Sequence, residues 1–182
     1  ELLSICRGKG RWVWAVTFNP TGELLASAGS DGVVHLWEVG KFSRGETATT
    51  EVSPMLGHTD TIFGLAFHPA GQWLASASAD HTIRIWDTVC KETTQILRGH
   101  TATVYAVAFH PQGQLLASAS RDHTVRLWQV TTGHCIEVLG GHQSEVTTLC
   151  FSRDGQWLVT ASIDNTILVW RLRVDESVST PL

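Results

Sequence analysis

Charge is scarce in this chain and carries no cationic excess. Of 182 residues only 16% are Asp, Glu, Lys or Arg, and the formal net charge is −4. A basic footprint for nucleic acid is therefore missing from the chain as a whole, although Lys9, Arg11, Lys41 and Arg44 gather in its first quarter. Cysteine is sparse and irregular. Cys6, Cys90, Cys135 and Cys150 are 84, 45 and 15 residues apart, which matches no zinc or redox spacing. They read as free thiols in a reducing, cytoplasmic compartment. No apolar run approaches the roughly 18 residues that a membrane helix needs, and no signal peptide is visible. No segment keeps a helical period over a useful length. Phosphate-loop, HExxH and EF-hand patterns are all missing, so neither metal nor cofactor is expected. Methionine occurs once, at Met55, and the chain opens at Glu1. That start suits a processed product, a recombinant product or a piece of something longer.

Tryptophan, by contrast, is abundant: there are eight, and four are periodic. Trp37, Trp86, Trp128 and Trp170 are separated by 49, 42 and 42 residues. Asp31, Asp80, Asp122 and Asp164 each stand six residues before one of them. Ser27, Ser76, Ser118 and Thr160 stand ten before, and Phe18, Phe67, Phe109 and Phe151 nineteen before. Gly57-His58, Gly99-His100 and Gly141-His142 open the last three units, while the first has Gly8-Lys9. A fixed period of this kind marks a repeat architecture. Within the third unit, residues 104–109, 115–120 and 124–128 read as short strands. Turn signals at Pro111-Gln112-Gly113, Arg121-Asp122-His123 and Thr132-Gly133 separate them. Residues 95–98 and 135–139, before each Gly-His, read as a fourth strand. Four antiparallel strands per unit make a propeller blade.

These registers resemble the WD40 family, with Gly-His near the start of each unit and Trp-Asp near its end. Only Trp86-Asp87 has the literal pair. The resemblance implies an all-β, WD40-type propeller spanning residues 1–172, with four blades of four strands at about 1–38, 51–87, 93–129 and 134–171, and a tail at 173–182. It also implies a hydrogen-bonded chain inside each blade. By position its members are His58, Ser76, Asp80 and Trp86; His100, Ser118, Asp122 and Trp128; and His142, Thr160, Asp164 and Trp170. The first unit keeps Ser27, Asp31 and Trp37 but has Lys9 for the histidine. Ser, His and Asp together suggest a hydrolytic triad, yet the trio recurs in every complete unit whereas an enzyme needs one site. No Gly-x-Ser-x-Gly elbow accompanies the serines, so no enzyme is expected. Of the remaining histidines, His68 and His110 precede proline or stand in its turn, and His81 and His123 follow the turn Asp. Spread over different blades, they read as solvated turn residues and not as a metal site.

Three closures stay open: a four-bladed ring, two chains exchanging terminal strands to make an eight-bladed ring, or the C-terminal part of a longer WD40 protein. In the exchange, residues 2–6 would pair along the strand near Thr166. Residues 41–51 read as a surface loop and 174–182 as a frayed tail. The resemblance also implies that proteins or peptides bind on the rim beside the first strand and before the turn Asp. Trp12, Trp14, Phe63, Tyr105, Arg121 and Glu145 stand there, and such residue types are enriched in interface hot spots. Packing around the central channel, or a small-ligand or sugar site, would explain the same aromatics. The function expected is a non-catalytic scaffold for proteins or peptides, or else the target-capturing C-terminal propeller of a longer signalling enzyme. A membrane partner is not expected, and nucleic acid is disfavoured.

Overall fold

The computed structural model describes residues 4–6, 12–41, 46–48 and 51–172. Each repeat folds as an antiparallel sheet whose strands follow in chain order. Blade 1 comprises Val13–Phe18, Leu24–Gly29, Val34–Glu38 and Glu51–Met55. Blade 2 comprises Ile62–Phe67, Trp73–Ser78, Ile83–Asp87 and Thr93–Leu97. Blade 3 comprises Val104–Phe109, Leu115–Ser120, Val125–Gln129 and Cys135–Leu139. Blade 4 has three strands among the described residues, Val146–Phe151, Trp157–Ser162 and Ile167–Arg171. Its difference from the expected four has a simple cause. The outer strand of each earlier blade comes from the segment before the next Gly-His, and for blade 4 the residues after 172 lie outside the described ones.

The core lies between blades. Each blade turns small and branched residues forward, toward its successor. The successor answers with bulky side chains of its first and second strands and with its tryptophan. Between blades 1 and 2, Ala26, Ala28, Val34 and Leu36 meet Ile62, Leu65, Phe67 and Trp86. Between blades 2 and 3, Ala75, Ala77, Ile83 and Ile85 meet Val104, Val107, Phe109 and Trp128. Between blades 3 and 4, Ala117, Ala119, Val125 and Leu127 meet Val146, Leu149, Phe151 and Trp170. Because both faces of an inner sheet are covered, its middle strands are apolar and small without alternation, as in Leu116, Ala117 and Ala119.

Histidines add polar cross-links to these joints, and here the structure corrects the sequence reading. His68 and His110 are buried, not solvated. His68 Nε2 lies 3.1 Å from the Gly113 carbonyl of the next blade, and His110 Nε2 lies 3.0 Å from that of Gly155. Their Nδ1 atoms accept from the Ala70 and Gln112 amides at 3.0 and 3.2 Å. One nitrogen donates and the other accepts, as a neutral imidazole requires. Each ring also meets a phenylalanine of the following blade edge-on, His68 on Phe109 and His110 on Phe151. The turn that holds them faces the neighbouring blade, so a turn position does not mean exposure here. His81 and His123 are exposed, with φ of 68° and 69° at the turn position where blade 1 has Gly32 and blade 4 has Asn165.

Two further expectations are overturned. Ser4–Cys6 pairs in parallel with Glu46–Ala48 of the same chain, not with Ile167–Arg171. The insertion thus contains a strand where a loop was expected. Nor does the chain close a four-bladed ring. Val16 and Phe18 on the outward face of blade 1 are exposed, as are Ile167 and Val169 on that of blade 4. In a ring closed on itself those faces would cover each other. Residues 1–3, 7–11, 42–45, 49–50 and 173–182 lie outside the described residues, and with them the start of the 2–6 segment, the positive charges at Lys9, Arg11 and Arg44, and the tail.

Candidate functional site

Two arrangements of polar and aromatic side chains stand out, one inside the blades and one on their rim. The inner one repeats. In blade 2, the Trp86 indole N–H donates to Ser76 Oγ at 2.7 Å, and Ser76 Oγ lies 2.7 Å from His58 Nε2. His58 Nδ1 lies 2.7 Å from Asp80 Oδ2. Blade 3 repeats this with Trp128, Ser118, His100 and Asp122 at 2.8, 2.8 and 2.7 Å. Blade 4 has Trp170, Thr160, His142 and Asp164 at 3.1, 2.8 and 3.1 Å. Donor logic orders the protons. The carboxylate can only accept, so His Nδ1–H points to it; in the neutral ring Nε2 then accepts the hydroxyl proton, while the hydroxyl oxygen accepts from the indole, which can only donate. Each carboxylate is further held by turn amides: Asp80 accepts from Thr59 and Thr82, and Asp122 from Thr101 and Thr124.

Electrostatics follow from this geometry. Burial alone would raise the Asp80 and Asp122 carboxyls. Hydrogen bonds from the histidine and from Thr82 or Thr124 outweigh it and hold both well below the usual carboxylate range. Asp164 is also held low, chiefly by the Thr166 hydroxyl. Proton for proton, the chain of hydroxyl, imidazole and carboxylate matches a hydrolase triad. Access distinguishes them. Ser76, Ser118 and Thr160 are fully buried, and each hydroxyl already accepts from an indole.

Blade 1 assembles a variant that sequence reasoning missed. Trp37 Nε1 donates to Ser27 Oγ at 2.9 Å. His35 Nε2 meets Asp31 Oδ2 at 2.9 Å, from the third strand of the same blade and not from a Gly-His. The signal was present: His35 occupies the position of Arg84 and Arg126, two residues before the tryptophan, in the one unit with Lys9 for histidine.

The rim arrangement does not repeat, and a backbone device creates it. The first two strands of every blade slip register at one place, between Val13 and Ala15, Ile62 and Gly64, Val104 and Ala106, and Val146 and Thr148. Trp14, Phe63, Tyr105 and Thr147 are the extra residues of these β-bulges. A bulge leaves its residue unpaired and re-aims the side chain. The result is one continuous run. Trp12 and Trp14 ring centroids are 6.5 Å apart, Trp14 and Phe63 5.5 Å, and Phe63 and Tyr105 5.5 Å. Tyr105 then donates its hydroxyl to Glu145 Oε2 at 2.7 Å. Arg121 Nε bridges Glu145 Oε1 at 2.9 Å. Burial and the Glu145 carboxylate push the Tyr105 hydroxyl up. All six rim residues named from the sequence therefore touch in series across the four blades. Trp12 and Trp14 are exposed, Phe63, Tyr105 and Glu145 half-buried, and the Arg121 side chain open to solvent.

Among the described residues, no three His, Cys, Asp or Glu side chains are grouped as a metal site would group them. None of the described helices is long and apolar enough to cross a membrane. Comparison with known proteins follows the repeat. No curated protein matches the chain. The family model described as WD domain, G-beta repeat, matches four times, at residues 1–38, 49–87, 91–129 and 133–171. Those matches cover most of the sequence and follow the four antiparallel blades, and the chain belongs to the WD40 repeat family.

Proposed function

We propose that this chain is a non-catalytic scaffold whose rim holds a protein or peptide along the run from Trp12 through Trp14, Phe63 and Tyr105 to the Arg121–Glu145 pair. The carrying observation is that run itself. Four aromatic rings in sequence, two of them exposed, end on a charged pair. Water-facing tryptophans of this kind supply large, stiff contact area, and a neighbouring Arg–Glu pair supplies direction. The inner networks are read as structural, because their hydroxyls are buried and engaged. Unpaired Cys6, Cys90, Cys135 and Cys150 support a reducing, cytoplasmic setting.

Affinity capture with the immobilised chain tests the rim. Proteins retained by the parent chain should be lost with Trp14→Ala and with Tyr105→Ala. They should remain with Ile136→Ala, an exposed outer-strand change on blade 3. Equal retention by all three variants would overturn the reading.

A further inference from the structure

One acid on the rim stands outside every network. Asp60 enters blade 2 three residues before Phe63, at the position held by Ala102 in blade 3 and Ser144 in blade 4. It is exposed, and its Oδ1 accepts from the Thr61 amide at 2.6 Å. Among the described residues no cation pairs with it. Glu145 differs, because Arg121 and Tyr105 already engage it. The Asp60 backbone rests on the turn of blade 1, where a Cβ at Gly32 would stand 3.1 Å from the Asp60 carbonyl. Asp60 therefore belongs to the joint at which Trp14 of blade 1 and Phe63 of blade 2 bring their ring centroids to 5.5 Å.

We propose that this joint holds an arginine of a basic peptide, its guanidinium laid on Trp14 and Phe63 and paired with the open oxygen of Asp60. The proposal rests on the rim reading above and names the chemistry of the partner there. A cation is drawn to the face of an aromatic ring, most strongly to an indole. Trp14 is exposed, and no described cation lies over it. The chain makes the same contact within itself: Arg84 and Arg171 each lie 5.8 Å from the ring centroid of an indole, Trp86 and Trp157. Arginine suits the joint better than lysine, because its planar and weakly hydrated group can stack on a ring and pair with a carboxylate at once. The wider charge agrees. The described rim-side turns carry six carboxylates against Arg98 and Arg121, whereas the turns at the other end of blades 2–4 balance Lys91 and Arg153 against Glu92 and Asp154. With Lys9 and Arg11 of the undescribed residues 7–11 added to that account, acid still exceeds base. Such a field gathers cationic partners and repels acidic ones.

Fluorescence anisotropy with three labelled peptides tests this. In one, arginines are spaced by glycine and serine; in the others, citrulline or glutamate replaces every arginine. The parent chain should bind the arginine peptide and neither of the others, and should bind it less as salt rises, since exposed charges are screened beyond about 10 Å at 0.1 M salt. Asp60→Asn and Trp14→Ala should each weaken that binding about threefold to tenfold. Both side chains are exposed, so the far-UV dichroism should stay that of the parent. Glu92→Gln, an exposed change at the other end of blade 2, should leave the binding as it was. Equal affinity for the citrulline peptide overturns the proposal, as does binding indifferent to both Asp60→Asn and Trp14→Ala. Equal weakening by Glu92→Gln overturns it too, because attraction to the whole acidic chain would then suffice. Added to the affinity capture, the arginine peptide should displace the retained proteins. Capture that depends on Trp14 but resists this displacement overturns the arginine and leaves the docking surface standing. Capture that survives Trp14→Ala removes the rim reading, and the arginine with it.

Discussion

Ser118 is the residue on which the inner network of blade 3 turns, and removing its hydroxyl measures that network. Ser118→Ala leaves the fold volume almost unchanged. It strips the acceptor from Trp128 Nε1 and the donor from His100 Nε2, both 2.8 Å away and both buried. Each buried polar group left without a partner costs about 1–3 kcal/mol, so the variant should lose about 4 kcal/mol. Ser27→Ala in blade 1 is the internal standard. Among the described residues its hydroxyl serves only Trp37 Nε1, at 2.9 Å, and the same reasoning gives about 2 kcal/mol. For a chain of this length, those losses lower the melting midpoint by roughly 8–16 °C and roughly 4–8 °C. Thermal and urea unfolding followed by far-UV dichroism read the totals. Because stacked repeats can open separately, hydrogen exchange at the Trp128 indole N–H reads blade 3 itself and should accelerate in Ser118→Ala alone. A Ser118→Ala chain within about 0.5 kcal/mol of the parent, where ordinary surface changes fall, would refute the reasoning. So would a Ser27→Ala chain that loses just as much.

Three further outcomes follow from the same contacts. Gly113 takes a φ of 80°, and an added Cβ would fall on the His68 ring, whereas Gly22 at 75° has nothing within 4 Å. Gly22→Ala should cost about 1–2 kcal/mol for backbone alone, and Gly113→Ala about 1–3 kcal/mol more for overpacking the joint, as read by urea midpoints. Asp80 and Asp122 have folded-state affinities for protons below the ordinary carboxylate. Their stabilisation is therefore complete above about pH 4, the unfolded value, and fades as the pH falls below it. An acid titration should show this fading, and Asp122→Asn should be less stable at neutral pH and less sensitive to acid. Trp86→Ala should lose about 3–5 kcal/mol as a buried large-to-small change, while Trp14→Ala, exposed on the rim, should change the unfolding midpoint little.

Period and residue type made most of the architecture legible. The third unit's strands fall within one residue of the positions read from its apolar runs and turns, because Gly, Pro and Asp mark the same corners in every repeat. The contents of the inner networks were legible because a buried indole, hydroxyl, imidazole and carboxylate recur at fixed distances along the chain. Other features depended on contacts between units, which no single repeat displays. His68 reads as an ordinary turn residue until the Gly113 carbonyl and Phe109 of the next blade are set against it. The pairing of Ser4–Cys6 with Glu46–Ala48 arises in the one segment that departs from the period, where repeat logic has nothing to say. The rim residues were named by position, but the bulge that turns them into one run is a slip in strand register, and no sequence feature announces it.

That bulge sets one residue of each blade apart from the strand ladder. The residues on either side of it, Val104 and Ala106 for example, remain in the ladder and answer to packing. The extra residue answers to neither constraint and is free to differ: Trp14, Phe63, Tyr105 and Thr147 occupy the same place in four otherwise similar blades. The aromatic run consequently has a direction. It is widest and most exposed at blade 1, where Trp12 doubles Trp14, and it stops at blade 4, where Thr147 stands in the aromatic position and Glu145 is tied to Arg121 and Tyr105. A symmetric ring of identical bulges would present the same surface at every angle and could not orient a ligand. On the function proposed above, a peptide laid along this rim would meet rings first and a charged pair last. Exchanging Trp14 for Thr and Thr147 for Trp should therefore preserve the fold while weakening capture of any partner that depends on that order. Undiminished capture by the exchanged chain would show that the order of the rim residues does not matter.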